Sequence, residues 1–201
     1  MKISVRSFFS VLLVSLSLTS VSSAATSTSL TCLAGTYKAS TSATSCSSAS
    51  KGYYVAAIGS TSQTKCALGT YSASTGAIAC TSAAAGYYVG TTGSSSQTPC
   101  AAGKYSASAS ASVCTSSSAG YYVNTTGSSS QTPCAAGKYS ASAGASVCTS
   151  ASVGYYVAST GRSAQTVCPA GTYSASAGAS ACDLPPFAIP LISWKSGLRL
   201  I

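Results

Sequence analysis

The chain has 201 residues, with ten lysines and arginines, one acidic residue and no histidine, and a formal net charge of +9. General acid–base and nucleophilic catalysis need carboxylate pairs, histidine or a base beside the nucleophile. This composition therefore excludes paired carboxylates and the Ser-His-Asp and Cys-His arrangements. Calcium and magnesium sites need several carboxylate oxygens, and Asp183 is the one acid. We expect no enzyme, no metal site and no cofactor.

Residues 1–24 have the pattern of a secretory signal peptide. Two basic residues open it, the apolar stretch from Phe8 to Val21 follows, and small residues lead to Ala24, after which we expect cleavage. A membrane anchor is the alternative, but about 14 apolar residues fall short of the ~20 that span a bilayer. The pattern predicts a secreted or cell-surface protein in which residues 25–31 form a short linker.

The cysteines form a repeat between positions 32 and 182. A shorter and a longer spacing alternate between them without exception, and such a fixed period indicates a repeat array. The period halves, because a glycine followed two positions later by a tyrosine recurs in both of its halves. Nine units therefore start at Cys32, Ala49, Cys66, Ala83, Cys100, Ser117, Cys134, Ala151 and Cys168.

The register of these units predicts how the cysteines pair. Positions 1 and 15 are both cysteine in odd units, whereas even units have Ala or Ser at position 1 and glutamine at position 15. Residues that are present or absent together behave like partners in one bond, and extracellular proteins keep their disulfides. Zinc sites use cysteine pairs that lie much closer together in the sequence than any two cysteines here, so the spacing disfavours a metal site. The predicted bonds are Cys32–Cys46, Cys66–Cys80, Cys100–Cys114, Cys134–Cys148 and Cys168–Cys182.

An alternative pairing exists, because spacing alone does not prove connectivity. The opposite register would join Cys46 to Cys66 and continue along the chain, and it would leave Cys32 and Cys182 without partners. The co-occurrence of positions 1 and 15 favours the first register.

The repeated run Gly-Ser-Ser-Ser-Gln-Thr-Pro-Cys-Ala-Ala-Gly-Lys-Tyr-Ser resembles the ephrin-receptor-like cysteine-rich repeat, which typically reads G-S-S-x-C-x-x-C-P-x-G-T-Y-S. The segment Cys168–Ser174, Cys-Pro-Ala-Gly-Thr-Tyr-Ser, is the nearest copy. The resemblance covers residues 32–182 and implies an extracellular repeat protein. The chain departs from the family where Gln97, Gln131 and Gln165 replace the first cysteine of C-x-x-C.

Local composition predicts strands and turns in every unit. Glycines at positions 4 and 11 favour turns with positive φ, and short aromatic and β-branched runs between them favour strands. Frequent Ser, Thr and Gly oppose long helices. We expect a small disulfide-rich, mainly β fold, an elongated array of nine 17-residue units in a 34-residue double repeat. Its cores would be Tyr, Val, Ala and Cys.

Tyrosine occupies position 6 of every unit, where we favour a structural column of stacked rings. Even units carry a second tyrosine at position 5, which in a strand would point to the opposite face. The second tyrosines are candidates for an exposed strip that binds extracellular glycans or a surface protein: Tyr53, Tyr87, Tyr121 and Tyr155.

Asn124 opens the sequon Asn124-Thr125-Thr126, and we expect it to carry an N-glycan if the protein is secreted by a eukaryotic cell. An unmodified polar surface is the alternative. The basic residues of the array are spread at less than one per unit. Nucleic-acid-binding proteins cluster such residues on one face, so we expect no nucleic-acid partner.

Residues 183–201 lose the repeat signal. This tail holds three prolines and the single tryptophan, and Pro190, Lys195 and Arg199 disfavour a membrane span. We expect an unstructured tail or the truncated end of a longer array. Together these features predict a secreted or cell-surface structural spacer that performs no catalysis.

Overall fold

The computed structural model describes residues 30–186, so the predicted signal peptide and most of the predicted linker and tail lie outside the described residues. This range forms sixteen two-residue strands and no helix, and it contains no helix that could cross a membrane. The predicted disulfide-rich, mainly β repeat is confirmed. The strands are β1 Thr36–Tyr37, β2 Ser47–Ser48, β3 Tyr53–Tyr54, β4 Thr64–Lys65, β5 Thr70–Tyr71, β6 Thr81–Ser82, β7 Tyr87–Tyr88, β8 Thr98–Pro99, β9 Lys104–Tyr105, β10 Thr115–Ser116, β11 Tyr121–Tyr122, β12 Thr132–Pro133, β13 Lys138–Tyr139, β14 Thr149–Ser150, β15 Tyr155–Tyr156 and β16 Thr166–Val167.

Each of the first eight units is one antiparallel hairpin in which positions 5 and 6 pair with positions 17 and 16. In unit 6, Tyr121 lies opposite Pro133 in this register. A turn precedes the hairpin, and in it the Tyr121 N–H donates to the Ser118 carbonyl at 3.0 Å. Gly120 is the third residue of this turn with a φ of +85°, which is the left-handed position that type II turns reserve for glycine. In unit 9 a single bridge between Tyr173 and Asp183 replaces the hairpin.

Consecutive units are joined by the same four backbone hydrogen bonds at every junction. The N–H groups of positions 4 and 7 donate to the carbonyls of positions 7 and 12 in the next unit. In the opposite direction, the position 11 N–H of the next unit donates to the position 1 carbonyl of the preceding unit. The position 1 N–H of the next unit donates to the position 4 carbonyl of the preceding unit. Between units 5 and 6 these bonds are Gly103 N–H to Val123 O at 2.8 Å, Ser106 N–H to Ser128 O at 3.2 Å, Gly127 N–H to Cys100 O at 2.8 Å and Ser117 N–H to Gly103 O at 2.8 Å.

The position 4 glycine also meets the backbone of the unit two places further along. A Cβ atom built on Gly120 would overlap the carbonyl oxygen of Gly161, which occupies position 11 of unit 8, and would lie 2.8 Å from its carbonyl carbon. The same overlap recurs at the position 4 glycine of units 1 to 7. In these seven units glycine is required at position 4 for two reasons, since both its φ and the close approach exclude a side chain.

Contacts between units two places apart divide the array into two interleaved columns. The Tyr87 ring and Pro99 of unit 4 lie 3.8 Å from a Cβ built on Gly127 of unit 6. Among odd units, the Ser110 hydroxyl of unit 5 donates to the Ser82 hydroxyl of unit 3 at 2.8 Å. We call these the even column and the odd column. All disulfides belong to the odd column, whereas all second tyrosines belong to the even column.

The core is made of small side chains at positions 1 and 7. Val55, Val89, Val123 and Val157 of the even units are buried, as are the Cys, Ala or Ser at position 1 of units 1 to 8. Position 7 is a buried serine in odd units after the first, and Ser106 satisfies its hydroxyl by donating to the Ser108 carbonyl at 3.0 Å. The expected contribution of tyrosine to the core is wrong. The backbones approach too closely to enclose a ring, and no tyrosine of the array is fully buried.

The close approach predicts unequal effects for one substitution made in two even units. Gly120→Ala should lose about 1–2 kcal/mol of unfolding free energy from its left-handed φ, and about 1–3 kcal/mol more from the clash with Gly161. Gly154→Ala should lose the first amount alone, because Gly154 has a φ of +79° but no atom within 4 Å of its built Cβ. Guanidinium unfolding of the oxidised chain measures both losses, and equal losses would contradict a role for the close approach.

Candidate functional site

Five disulfides close the odd units. They join Cys32–Cys46, Cys66–Cys80, Cys100–Cys114, Cys134–Cys148 and Cys168–Cys182, as the register predicts. Each has a Cα–Cα distance of 5.7 or 5.8 Å and links position 1 to position 15 of one unit. All ten cysteines lie in the described range and none is free. Closing a loop of this length stabilises the folded chain by about 3 kcal/mol on the chain-entropy estimate.

Even units close the same loop with a side-chain hydrogen bond in place of the disulfide. The position 15 glutamine accepts a hydrogen bond from the position 2 backbone N–H through its Oε1 atom. This glutamine clasp has the same partners in all four even units: Gln63 with Ser50 at 2.7 Å, Gln97 with Ala84 at 2.7 Å, Gln131 with Ser118 at 2.6 Å and Gln165 with Ser152 at 2.7 Å. Covalent and non-covalent closure therefore alternate along the chain.

The sequence signalled the glutamine clasp through the invariance of position 15 in even units, but its partner could not be inferred from spacing. The acceptor binds a backbone N–H, and position 2 varies between Ser and Ala, so no residue type marks it. In Gln131 the side-chain amide adds a longer contact of 3.4 Å to the Ser118 hydroxyl. The glutamine holds the turn at positions 2 to 5 against the far end of the hairpin.

The second tyrosines all lie in the even column, but the first three of them are half-buried. The rings of Tyr87 and Tyr121 lie against glycines of the unit two places further along, Gly127 and Gly161. Tyr155, the last of the second tyrosines, is 38% exposed. The alternation of a strand made the second tyrosines candidates for an exposed strip, and the contact between units two places apart explains why Tyr87 and Tyr121 are half-buried.

Asn124 lies at position 8 of unit 6 and is exposed, as are Thr125 and Thr126. The Thr125 hydroxyl is hydrogen-bonded to the Ser128 hydroxyl at 2.8 Å, whereas no hydrogen bond involves the Asn124 or Thr126 side chain among the described residues. The sequon is sterically open in the folded chain, and its glycosylation stays a prediction.

The other charged and metal-ligating side chains of residues 30–186 are spread along the array. In that range no group of three or more His, Cys, Asp or Glu side chains could hold a metal ion. Lys104 and Lys138 occupy position 5 of odd units, the register that holds the second tyrosines in even units. The two columns therefore differ in chemistry, with tyrosine at position 5 in one and Thr or Lys in the other.

A comparison with protein-family models found no match, and a comparison with curated proteins found none either. The resemblance to ephrin-receptor-like repeats therefore stays a prediction from the motifs of this chain.

The glutamine clasp predicts a local loss of stability in one unit. Gln131→Ala should lower the stability of unit 6 by about 0.5–1.5 kcal/mol, the usual net value of one hydrogen bond, because the Ser118 N–H loses its acceptor. Amide hydrogen exchange should show faster exchange at Ser118 while Cys100 and its disulfide-closed unit keep their protection. Gln131→Glu is the matched control, since a carboxylate still accepts the bond. Equal exchange at Ser118 in Gln131→Ala and the unmodified chain would contradict the clasp.

Proposed function

We propose that this protein is a secreted or cell-surface structural spacer whose disulfide-stapled units limit how far the chain opens or extends. The observation that carries the proposal is the alternation of covalent and hydrogen-bonded closure within one uninterrupted series of identical unit junctions. Ten cysteines that are all oxidised fit an extracellular compartment.

Stability in such an array comes from junctions between neighbours as well as from each unit. Each unit is too small to bury a core alone, so the four backbone bonds of each junction supply the continuity. The disulfides then restrict opening to the segments between staples, each of which contains one even unit. A spacer built in this way extends locally under load, in the segments between staples, while each disulfide-closed loop stays short.

Single-molecule extension tests this mechanical role. In the oxidised chain only the 20-residue segments between staples, such as Cys114 to Cys134, can extend, which gives about 70 Å of contour length per double unit at the full reach of ~3.6 Å per residue. After reduction the whole 34-residue period extends, by about 120 Å. Both values are full contour lengths, so each measured extension step is shorter by the length of the folded double unit.

A matched control adds one staple to an even unit. The double substitution Ser117→Cys with Gln131→Cys places cysteines at positions 1 and 15 of unit 6, and it should remove most of one extension step while leaving the others unchanged. Extension steps of the same length before and after reduction would contradict the mechanical role.

Secretion has a separate test in a secreting host. The chain should be recovered from the medium, with its intact mass showing cleavage after Ala24, because the leader is expected to direct export. Retention inside the cell with the leader attached would contradict secretion.

The even column supports a second candidate function, adhesion through glycan or protein binding. Its position 5 tyrosines recur once in every double unit and each is at least partly exposed, with Tyr155 the most exposed among them. An amphipathic ring offers an apolar face together with a hydroxyl that hydrogen-bonds. The column would bind an extended polymer at several points, which multiplies weak single contacts.

Retention on a glycan array or on cell-wall material tests the adhesion candidate. Replacing Tyr87, Tyr121 and Tyr155 by alanine should reduce retention at least tenfold, because the contributions of linked sites multiply. The matched control replaces Lys104 and Lys138, which occupy the same register in the odd column, and should retain binding. Circular dichroism confirms that each variant is folded, and unchanged retention of the folded tyrosine variant would contradict adhesion.

A further inference from the structure

A cavity of about 280 Å³ lies within unit 8, between the hairpin strands β15 and β16 and the loop that joins them. Its lining includes Tyr156, Arg162, Ser163 and Thr166. The volume is close to the lower end of the range for small-molecule sites, and so suits a ligand the size of one sugar residue. All of its lining residues come from this one unit, so the cavity does not depend on how neighbouring units meet.

Arg162 gives this cavity a chemistry that no other unit has. It occupies position 12, which is Ala in every odd unit and Ser in the other even units, and it is the single arginine between residues 30 and 186. The Arg162 carbonyl accepts the Ser140 N–H at 3.2 Å, as position 12 does at the other junctions. The backbone therefore has the same role with any side chain, and the arginine is not needed for the fold.

The arginine side chain is held in place without being neutralised. Its Nε donates to the Ser159 hydroxyl at 2.8 Å. The same contact between positions 9 and 12 occurs in unit 6, where Thr125 and Ser128 share a hydrogen bond of 2.8 Å. The two terminal nitrogens of Arg162 have no acceptor among the described residues. The guanidinium of Arg162, a residue that lines the cavity, therefore keeps its two terminal donors unused.

We propose that this cavity binds one anionic sugar residue of an acidic polysaccharide, through a carboxylate or a sulfate group. A guanidinium matches both groups because it donates two parallel hydrogen bonds to paired oxygens. Tyr156, Ser163 and Thr166 also line the cavity, where a tyrosine ring would offer the sugar an apolar surface and the two hydroxyls would serve as donors and acceptors for its ring substituents. The site is independent of the second tyrosines and of the proposed spacer role, so its failure leaves both unaffected.

Calorimetric titration of the oxidised chain tests the site with three disaccharides, one carrying a uronic acid, one carrying a sulfate and one uncharged. One or both charged probes should bind at one site per chain, with an affinity that falls as salt rises, and the uncharged probe should not. Whichever charged probe binds identifies the group that Arg162 takes. Equal binding of the uncharged probe, or no binding of any probe, would overturn the proposal.

The repeat supplies matched variants for the same titration. Arg162→Ser gives position 12 the residue found in units 4 and 6, and it should weaken binding at least tenfold, the usual effect of losing a charge-assisted bond. Lys138→Ser removes the same charge from the odd column and should leave binding unchanged. Ser128→Arg should create a second site in unit 6 and raise the stoichiometry from one to two. Binding that is lost equally in Lys138→Ser and Arg162→Ser would show general charge attraction and refute the site.

Discussion

In units 1 to 7, the approach of the position 4 glycine to a backbone carbonyl two units away is the constraint on which the rest of the array depends. It brings units so close that their core admits Cys, Ala, Ser and Val but no ring. The same glycine donates its N–H to the next unit and accepts a bond from it. A residue with no side chain therefore connects three consecutive units, and the small residues at positions 1 and 7 follow from the spacing it permits.

Because these contacts link units of the same parity, the two halves of the double repeat acquire different roles. The odd column is closed by disulfides and presents Thr or Lys at position 5, whereas the even column is closed by glutamine and presents tyrosine. Identical backbones thus support two kinds of closure that differ in strength by about 2 kcal/mol. The weaker closure belongs to the units that also carry the second tyrosines and the Arg162 cavity.

Much of this architecture could be predicted from the sequence because the same positions recur in every unit. Comparing one position across all units shows which residues change together. The co-occurrence of cysteines at positions 1 and 15 was sufficient for the disulfide pairing, and Gly and Tyr placed the turns and strands. The glutamine clasp and the two columns could not be predicted. Both depend on backbone groups, such as the Ser118 N–H and the Gly161 carbonyl, which are present in every residue and leave no mark in composition. The half-burial of Tyr87 was missed for the same reason.

The two columns also constrain how the number of units can change during evolution. Inserting or deleting one unit would exchange the parity of every later unit, so that disulfides would continue in the column of the glutamine clasps. After an insertion between units 4 and 5, for example, Tyr87 would meet Ser110 where it now meets Gly127. A gain or loss of one double unit preserves both columns. Copy number can therefore drift in steps of two units, each of which conserves the surface chemistry along the entire array.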